Sequence, residues 1–301
     1  MQQQSRHATS LGAALGAVSV LLFFAASGHA SDKQGRLSEE FHQVYQLSAE
    51  GRIDLENING PVHISSWDRN EVKLDAVKRA WTKERLDEAK IDINARPDAL
   101  SIRTEYPGHD NNFWNDHHDN PASVEYTLVV PRRARLDEIK LVNGSLDIQD
   151  VAGEVRASCV NGRLQARNLE GRTDLSTVNG ELDANVNRIA SSSPLELSAV
   201  NGTLRVTLPS DVRAEVEANT VSGSISNDFG LPVTHHQYVG HSLRGELGGG
   251  GTRVKLSNVN GRIEIMHAND NRPISPAKNL ERERKHDKDN DRDDDDDDTE
   301  I

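Results

Sequence analysis

One cysteine stands in 301 residues, so no internal disulfide can staple the chain. Long apolar runs are almost missing. The mean hydropathy is -0.66, and the one sustained apolar stretch, 11–26, stops short of the roughly 20 residues a membrane helix needs. That excludes a multi-span membrane protein. Positive charge is in the minority, with 35 Lys and Arg against 48 Asp and Glu and a formal net charge of -13. A nucleic-acid binder needs clustered cations, so that class is excluded as well. Aromatics make up 4% of the chain, and none occurs between Thr127 and Asp228. Any core there is filled by Val, Leu, Ile and Ala.

The two ends differ in kind from the body. The N-terminus has Arg6, the apolar stretch 11–26, and then Ser27-Gly28-His29-Ala30 with small residues flanking a cut after Ala30. This pattern reads as a secretory signal peptide over 1–30. The mature chain is expected to begin near Ser31, exported, with no membrane span after cleavage. An uncleaved N-terminal anchor is the alternative. No cysteine lies near the cut, which argues against a lipoprotein anchor. The other end, 267–301, carries 13 acidic and 7 basic residues and is expected to be a disordered acidic tail. Asp289, Asp291, Asp293 and Glu300 match positions 1, 3, 5 and 12 of a calcium loop, but Asp294 occupies the position that requires Gly. The tail is therefore expected to condense divalent cations weakly.

The body is organised by a repeat. Gly144, Gly153, Gly162, Gly171 and Gly180 follow one another at intervals of nine, and Gly51 and Gly60 show the same gap. Aliphatic residues recur two before each anchor (Ile58, Val142, Val160, Val178, Val200, Val221, Val259). They recur again two and four after it (Leu146 and Ile148, Leu204 and Val206, Ile263 and Ile265). The spacing after the anchor is strand alternation. Every other anchor is preceded by Asn: Asn59, Asn143, Asn161, Asn179, Asn201 and Asn260, with Ser222 as the substitute. The true period is thus eighteen residues in two unlike halves.

Asn-Gly between apolar runs is also the strongest hairpin signal, so an antiparallel meander is the rival. A two-residue hairpin would pair position -3 with +2. Position -3 holds Asn57, Leu141, Asp150, Cys159, Asn168, Thr177, Ala199, Thr220 and Asn258, mostly polar, while +2 is aliphatic. The pattern repeats by translation and has no mirror about the turn. It predicts an all-β, single-stranded β-helix-like solenoid over 31–266, with each coil on the last and the asparagines aligned as a structural corner ladder. Residues 66–140 break the rule and read as a longer-stranded insertion or N-terminal cap, with a short helix capped by Thr82. The long gap between the anchors Gly223 and Thr252 leaves room for a loop with His235, His236, Tyr238 and glycines 248–251.

Four candidate sites stand out. His109, Asp116, His117 and His118 crowd one loop and can ligate a divalent metal such as Zn²⁺. The competing reading is a polar turn-rich loop. Trp67, Trp81 and Trp114 read as core and cap residues ahead of a sugar platform. The Glu181/Asp183 pair resembles the acids of a glycosidase but has nothing to distinguish it from a solvated face. Cys159 reads as an inert thiol.

The segments "GRIDLENINGPVHISSWDRNEVKLDAVKRAW" (51–81) and "VEYTLVVPRRARLDEIKLVNGSLDI" (124–148), with the repeated VNG units, resemble the DUF4097 group over roughly 41–266. The resemblance implies a β-solenoid related to autotransporter adhesin heads, with an adhesin label and no catalytic residues to carry over. The expected function is an exported, non-catalytic envelope interaction or scaffold module in the periplasm or at the cell surface. Its expected partner is a protein or glycan of the envelope, with no cofactor. A polysaccharide-active enzyme and an envelope-stress or assembly factor are the alternatives.

Overall fold

The computed structural model describes residues 30–31, 36–106, 121–188, 193–236 and 240–280. Along the chain run β1 (Ala30–Ser31), β2 (Leu37–Gln46), β3 (Arg52–Asn59), β4 (Val62–Trp67) and β5 (Glu71–Ala80). The helix α1 (Lys83–Glu88) follows, then β6 (Lys90–Ala95), β7 (Ala99–Glu105), β8 (Ser123–Pro131), β9 (Arg135–Asn143) and β10 (Leu146–Gln149). The repeat region gives β11 (Val155–Asn161), β12 (Leu164–Arg167), β13 (Thr173–Asn179), β14 (Leu182–Asn185), β15 (Leu195–Asn201) and β16 (Leu204–Leu208). The C-terminal part holds β17 (Ala214–Asn227), β18 (Thr234–His235), β19 (His241–Leu247), β20 (Thr252–His267) and β21 (Ala277–Asn279).

The body is a parallel β-solenoid. Each coil has a strand of seven to nine residues, an Asn-Gly corner, a shorter strand and a second corner. Long strands stack as β9–β11–β13–β15, and short strands as β10–β12–β14–β16, all parallel and in register except for one shift between β9 and β11, where Val155 pairs with Leu136 and Ala157 with Ile139. Neighbouring long strands align Asn143, Asn161, Asn179 and Asn201. Inward positions form aliphatic files: Leu146, Leu164, Leu182 and Leu204 are all fully buried. The alternation puts one face of every strand into a dry interior, and each fully buried Leu contributes up to about 1.5–3 kcal/mol.

Both corners need unusual backbone. At the Asn-Gly corner the glycines have positive φ, +150° at Gly180. A Cβ there would lie 1.7 Å from the Gly162 carbonyl oxygen of the coil below. Glycine is thus required twice over, for conformation and for space. The second corner uses Asp150 and Asn168 at φ 60° and 56°, residue types that tolerate the left-handed region.

The ends depart from simple succession. Coil β17 is not laid on β15 and β16. The later strand β20 runs parallel between them, against β15 and β16 on one side and β17 on the other. The N-terminal end mirrors this. β7 and β8 pair in parallel outside β3 and β4, so the first coil of the sequence is second in space. Each end is then closed by antiparallel strands: β2, β5 and β6 at one end, and β19, flanked by β18 and β21, at the other. The expectation that each coil lies on its predecessor therefore holds for 135–208 and fails at both ends. An antiparallel cap needs a returning chain, and threading a late coil inward brings that chain to the rim.

The segment expected as a loop after Gly223 contains β18 and β19. The fold also continues past 266. β21 pairs with β19, Ser275 donates to Val212 O at 2.6 Å, and Asp270 accepts from the Ser210 and Arg272 amides. Residues 267–280 are thus part of the C-terminal cap, while 281–301 lie outside the described residues. Residues 1–29 lie outside them too.

At the N-terminal end, α1 begins at Thr82, whose hydroxyl accepts from Arg85 N at 3.3 Å. The interior of this end holds a polar cluster. Thr104 Oγ1 donates to Asn57 Oδ1 at 3.0 Å and lies 2.8 Å from the Tyr126 hydroxyl. Thr104 has a single hydroxyl hydrogen, so Tyr126 is the donor in the second bond. Asn57 Nδ2 donates to the carbonyls of Val124 and Gly60. Tyr126 is fully buried, and burial pushes its hydroxyl far above the usual range.

Candidate binding face

Strand alternation turns positions -2, -4 and -6 of each long strand outward. The -2 file is Val142, Val160, Val178, Val200, Val259 and Val221 in spatial order, 37% exposed at Val160 and 53% at Val221. These valines look like core residues in the sequence, yet they form an exposed apolar stripe. The parity reveals it: position -3 is buried at Leu141, Cys159, Thr177, Ala199, Asn258 and Thr220, so its neighbour must point out. The polar -3 residues are accordingly interior. Asn258, for example, donates to the Gly202 carbonyl at 2.9 Å.

Beside the valines runs the -4 file. Ser158, Ser176, Ser198 and Ser257 stand in direct register, followed by Asn219. Toward the N-terminal end this file changes to Lys140, Glu56 and Arg103, which are linked by ion pairs. The -6 file mixes both signs through Arg156, Asp174, Glu196, Lys255 and Glu217. Lys255 lies 2.7 Å from Glu196, and burial raises the Asp174 carboxyl. The Ser and Val files make the floor of a groove of about 600 Å³, closed at the C-terminal end by His236, Gly240 and His241. His236 Nε2 lies 2.9 Å from Ser242 Oγ, and the His235 and His241 rings meet edge to face at 4.5 Å.

The Asn corner borders this face. Asn143, Asn161, Asn179, Asn201 and Asn260 each donate Nδ2 to Oδ1 of the asparagine one coil below, beginning at Asn59, at 2.9–3.0 Å. The structure thus brings all six asparagines into one file, with Ser222 beside Asn260 at its end. A second ladder, not anticipated from the sequence, lies at the opposite corner. Asn168 donates to Asp150 at 2.8 Å and Asn187 to Asn168. The signal for it was present, since Asp150 and Asn168 are eighteen apart and both types tolerate positive φ.

The remaining candidates fall elsewhere. On the outer face of the short strands, Glu181 and Asp183 lie 3.1 and 3.8 Å from Arg205, which also meets Glu264 at 2.8 Å. This is one guanidinium shared by three carboxylates, and Arg163 adds a second cation to Glu181 at 3.2 Å. Burial raises the Asp183 carboxyl. His109, Asp116, His117 and His118 lie outside the described residues, as do the tail aspartates and Trp114. Among the described residues no group of three His, Cys, Asp or Glu is arranged to hold a metal. Cys159 is buried behind the groove floor, and its thiol is pushed up to about 11 by burial. Trp81 is not core: it is half exposed, with the Arg36 guanidinium 4.7 Å over its ring. Trp67 donates to the Glu71 carbonyl and carries Arg69 over its ring.

The family model described as Toastrack DUF4097 matches residues 48–266. The chain belongs to the DUF4097 family. No curated protein matches it. Among solved structures, this DUF4097 chain is similar to a "putative cell adhesion protein" from Clostridium sporogenes, at 12% identity and TM-score 0.47, covering 76% of this chain and 100% of that one. It is also similar to a "putative adhesin" from Bacteroides fragilis at 12% identity and TM-score 0.29, covering 76% and 97%. A third is a "putative lipid binding protein" from Parabacteroides distasonis, at 11% identity and TM-score 0.28, covering 76% and 94%. Those descriptions apply to those proteins. No helix among the described residues is long and apolar enough to cross a membrane.

Proposed function

We propose that this DUF4097 protein is an exported, non-catalytic module of the envelope or cell surface that binds a partner on the Ser–Val face of its stack. The observation that carries the reading is the contrast on that face. Across five coils the -4 and -2 positions hold no charge, on a body whose other outward positions are laced with ion pairs. A parallel stack holds such files at a fixed spacing, so the face is preorganised and loses little entropy on binding. The signal-like segment 1–30 supports export.

Cell fractionation combined with a binding screen tests this. The reading expects mature protein beginning near residue 31 in the periplasmic or surface fraction, and saturable binding to an envelope component without turnover. Cytoplasmic retention of the full chain, or hydrolysis of an envelope polysaccharide by the purified protein, overturns it.

A further inference from the structure

The proposed interaction role leaves the occupant of the groove open, and the groove's dimensions and chemistry narrow it. The floor crosses β11, β13, β15, β20 and β17. Four strand spacings make it about 19 Å long. The Ser and Val files are two residues apart on each strand, so it is about 7 Å wide. A footprint of that size is roughly one sixth of the 800 Å² per partner that a stable protein interface buries. A second copy of this chain or a folded partner is thus poorly matched to it. A glycan is poorly matched as well, because sugar sites use aromatic platforms and, among the described residues, no Phe, Tyr or Trp lines the groove. An extended peptide brings backbone donors and acceptors. The strands beneath already pair theirs with one another, leaving only hydroxyls in reach.

We infer that the groove takes the alkyl chain of a free fatty acid, laid along the stack axis over Val160, Val178, Val200, Val259 and Val221. An extended chain advances about 1.25 Å per carbon, the projection of a 1.52 Å C–C bond at tetrahedral angles. About 16 carbons therefore span the floor. Serines along one side add no charge that the chain would have to desolvate. His236, Gly240 and His241 close one end of the groove, and at the other end the -4 file passes from Ser158 to Lys140, where charge resumes. The match of length, width and neutrality holds only for this stretch of the face. In the coils nearer the N-terminus the same file is ion-paired.

The test is calorimetric titration of the purified full chain with fatty acids of 8 to 18 carbons, each below its micelle concentration. Affinity is expected to rise about three- to four-fold per methylene and to level off near 16 carbons. Val178→Glu, outward-facing and in mid-groove, is expected to weaken palmitate at least ten-fold with an unchanged melting temperature. Val142→Glu, in the same file outside the groove, is expected to leave binding unchanged. Absence of saturable palmitate binding, affinity independent of chain length, or equal effects of the two variants overturns the inference. Binding to phosphatidylglycerol–phosphatidylethanolamine vesicles without palmitate binding overturns it too, assigning the face to a membrane surface. None of these outcomes touches the export or non-catalytic character of the protein, which the fractionation and turnover experiments decide separately.

Discussion

The middle of the stack and its two ends solve the same problem by different means. Between 135 and 208 each coil lies on the one before it, in register but for one shift between β9 and β11, with small aliphatic side chains inside and glycine at every Asn corner. Stability there is a sum of nearest-neighbour terms, and the sequence repeats because the environment repeats. At the ends the order of coils inverts, antiparallel strands cover the rims, and one-off contacts replace the files. Tyr126, Thr104 and Asn57 bond to one another at one end, and Asp270 and Arg272 tie residues 210–211 at the other. Translation is sufficient for the middle, whereas a terminus has to be built individually.

The largest expected effect separates the two regions at a glycine. Gly180→Ala places a Cβ 1.7 Å from the Gly162 carbonyl oxygen at φ +150°. It is expected to cost about 3 kcal/mol or more, since neither backbone can yield without moving the coils beside it. Gly249→Ala, in the C-terminal cap, also has positive φ, +80°, but its nearest neighbour is an Arg213 nitrogen at 4.0 Å. The expected cost is about 1 kcal/mol, for conformation alone. Denaturant unfolding of both variants checks this. Equal losses would mean that the middle is no more constrained than the cap.

A smaller effect is expected at the N-terminal end. Thr104→Val leaves the Asn57 carbonyl oxygen and the Tyr126 hydroxyl buried without each other's bridge. That is expected to cost about 1–3 kcal/mol. The same substitution at Thr177, a buried middle-coil threonine whose hydroxyl has no partner, is expected to be neutral or stabilising. The pair thus tests whether polar groups inside are structural only at the end.

The smallest effect is one of pH. Asp270 accepts from Ser210 and Arg272, and these bonds hold its carboxyl down to about 2. A depressed carboxyl contributes stability that is fully present above the unfolded value near 3.8 and is lost as pH falls toward 2. Wild type is therefore expected to lose more stability than Asp270→Asn between pH 4 and 2, measured by melting temperature. Parallel curves would remove Asp270 from the C-terminal cap.

The same division governs what the sequence could reveal. A nine- and eighteen-residue period locates strands, inward files and the Asn corner, because each is dictated by neighbours one coil away. The outward direction of Val160 and its equivalents was legible in principle from strand parity, but it is masked by their resemblance to core residues. Nothing local tells that β20 inserts inside β17, or that Ser275 is buried, since those facts depend on how the chain returns to close an open edge. The exposed Trp81 is a similar case: its environment is made by Arg36, just ahead of β2 and distant in sequence.

The inverted order at the C-terminal end separates this architecture most sharply from plain succession, and disulfide trapping in a Cys159→Ser background measures it directly. Ser198 stands opposite Ser257, and Ser257 opposite Asn219. Cysteines at 198 and 257 are expected to cross-link readily. Cysteines at 198 and 219, two strands apart at about 9.6 Å and beyond the reach of a disulfide, should not. Efficient trapping of 198 with 219, and none of 198 with 257, would contradict the inverted order.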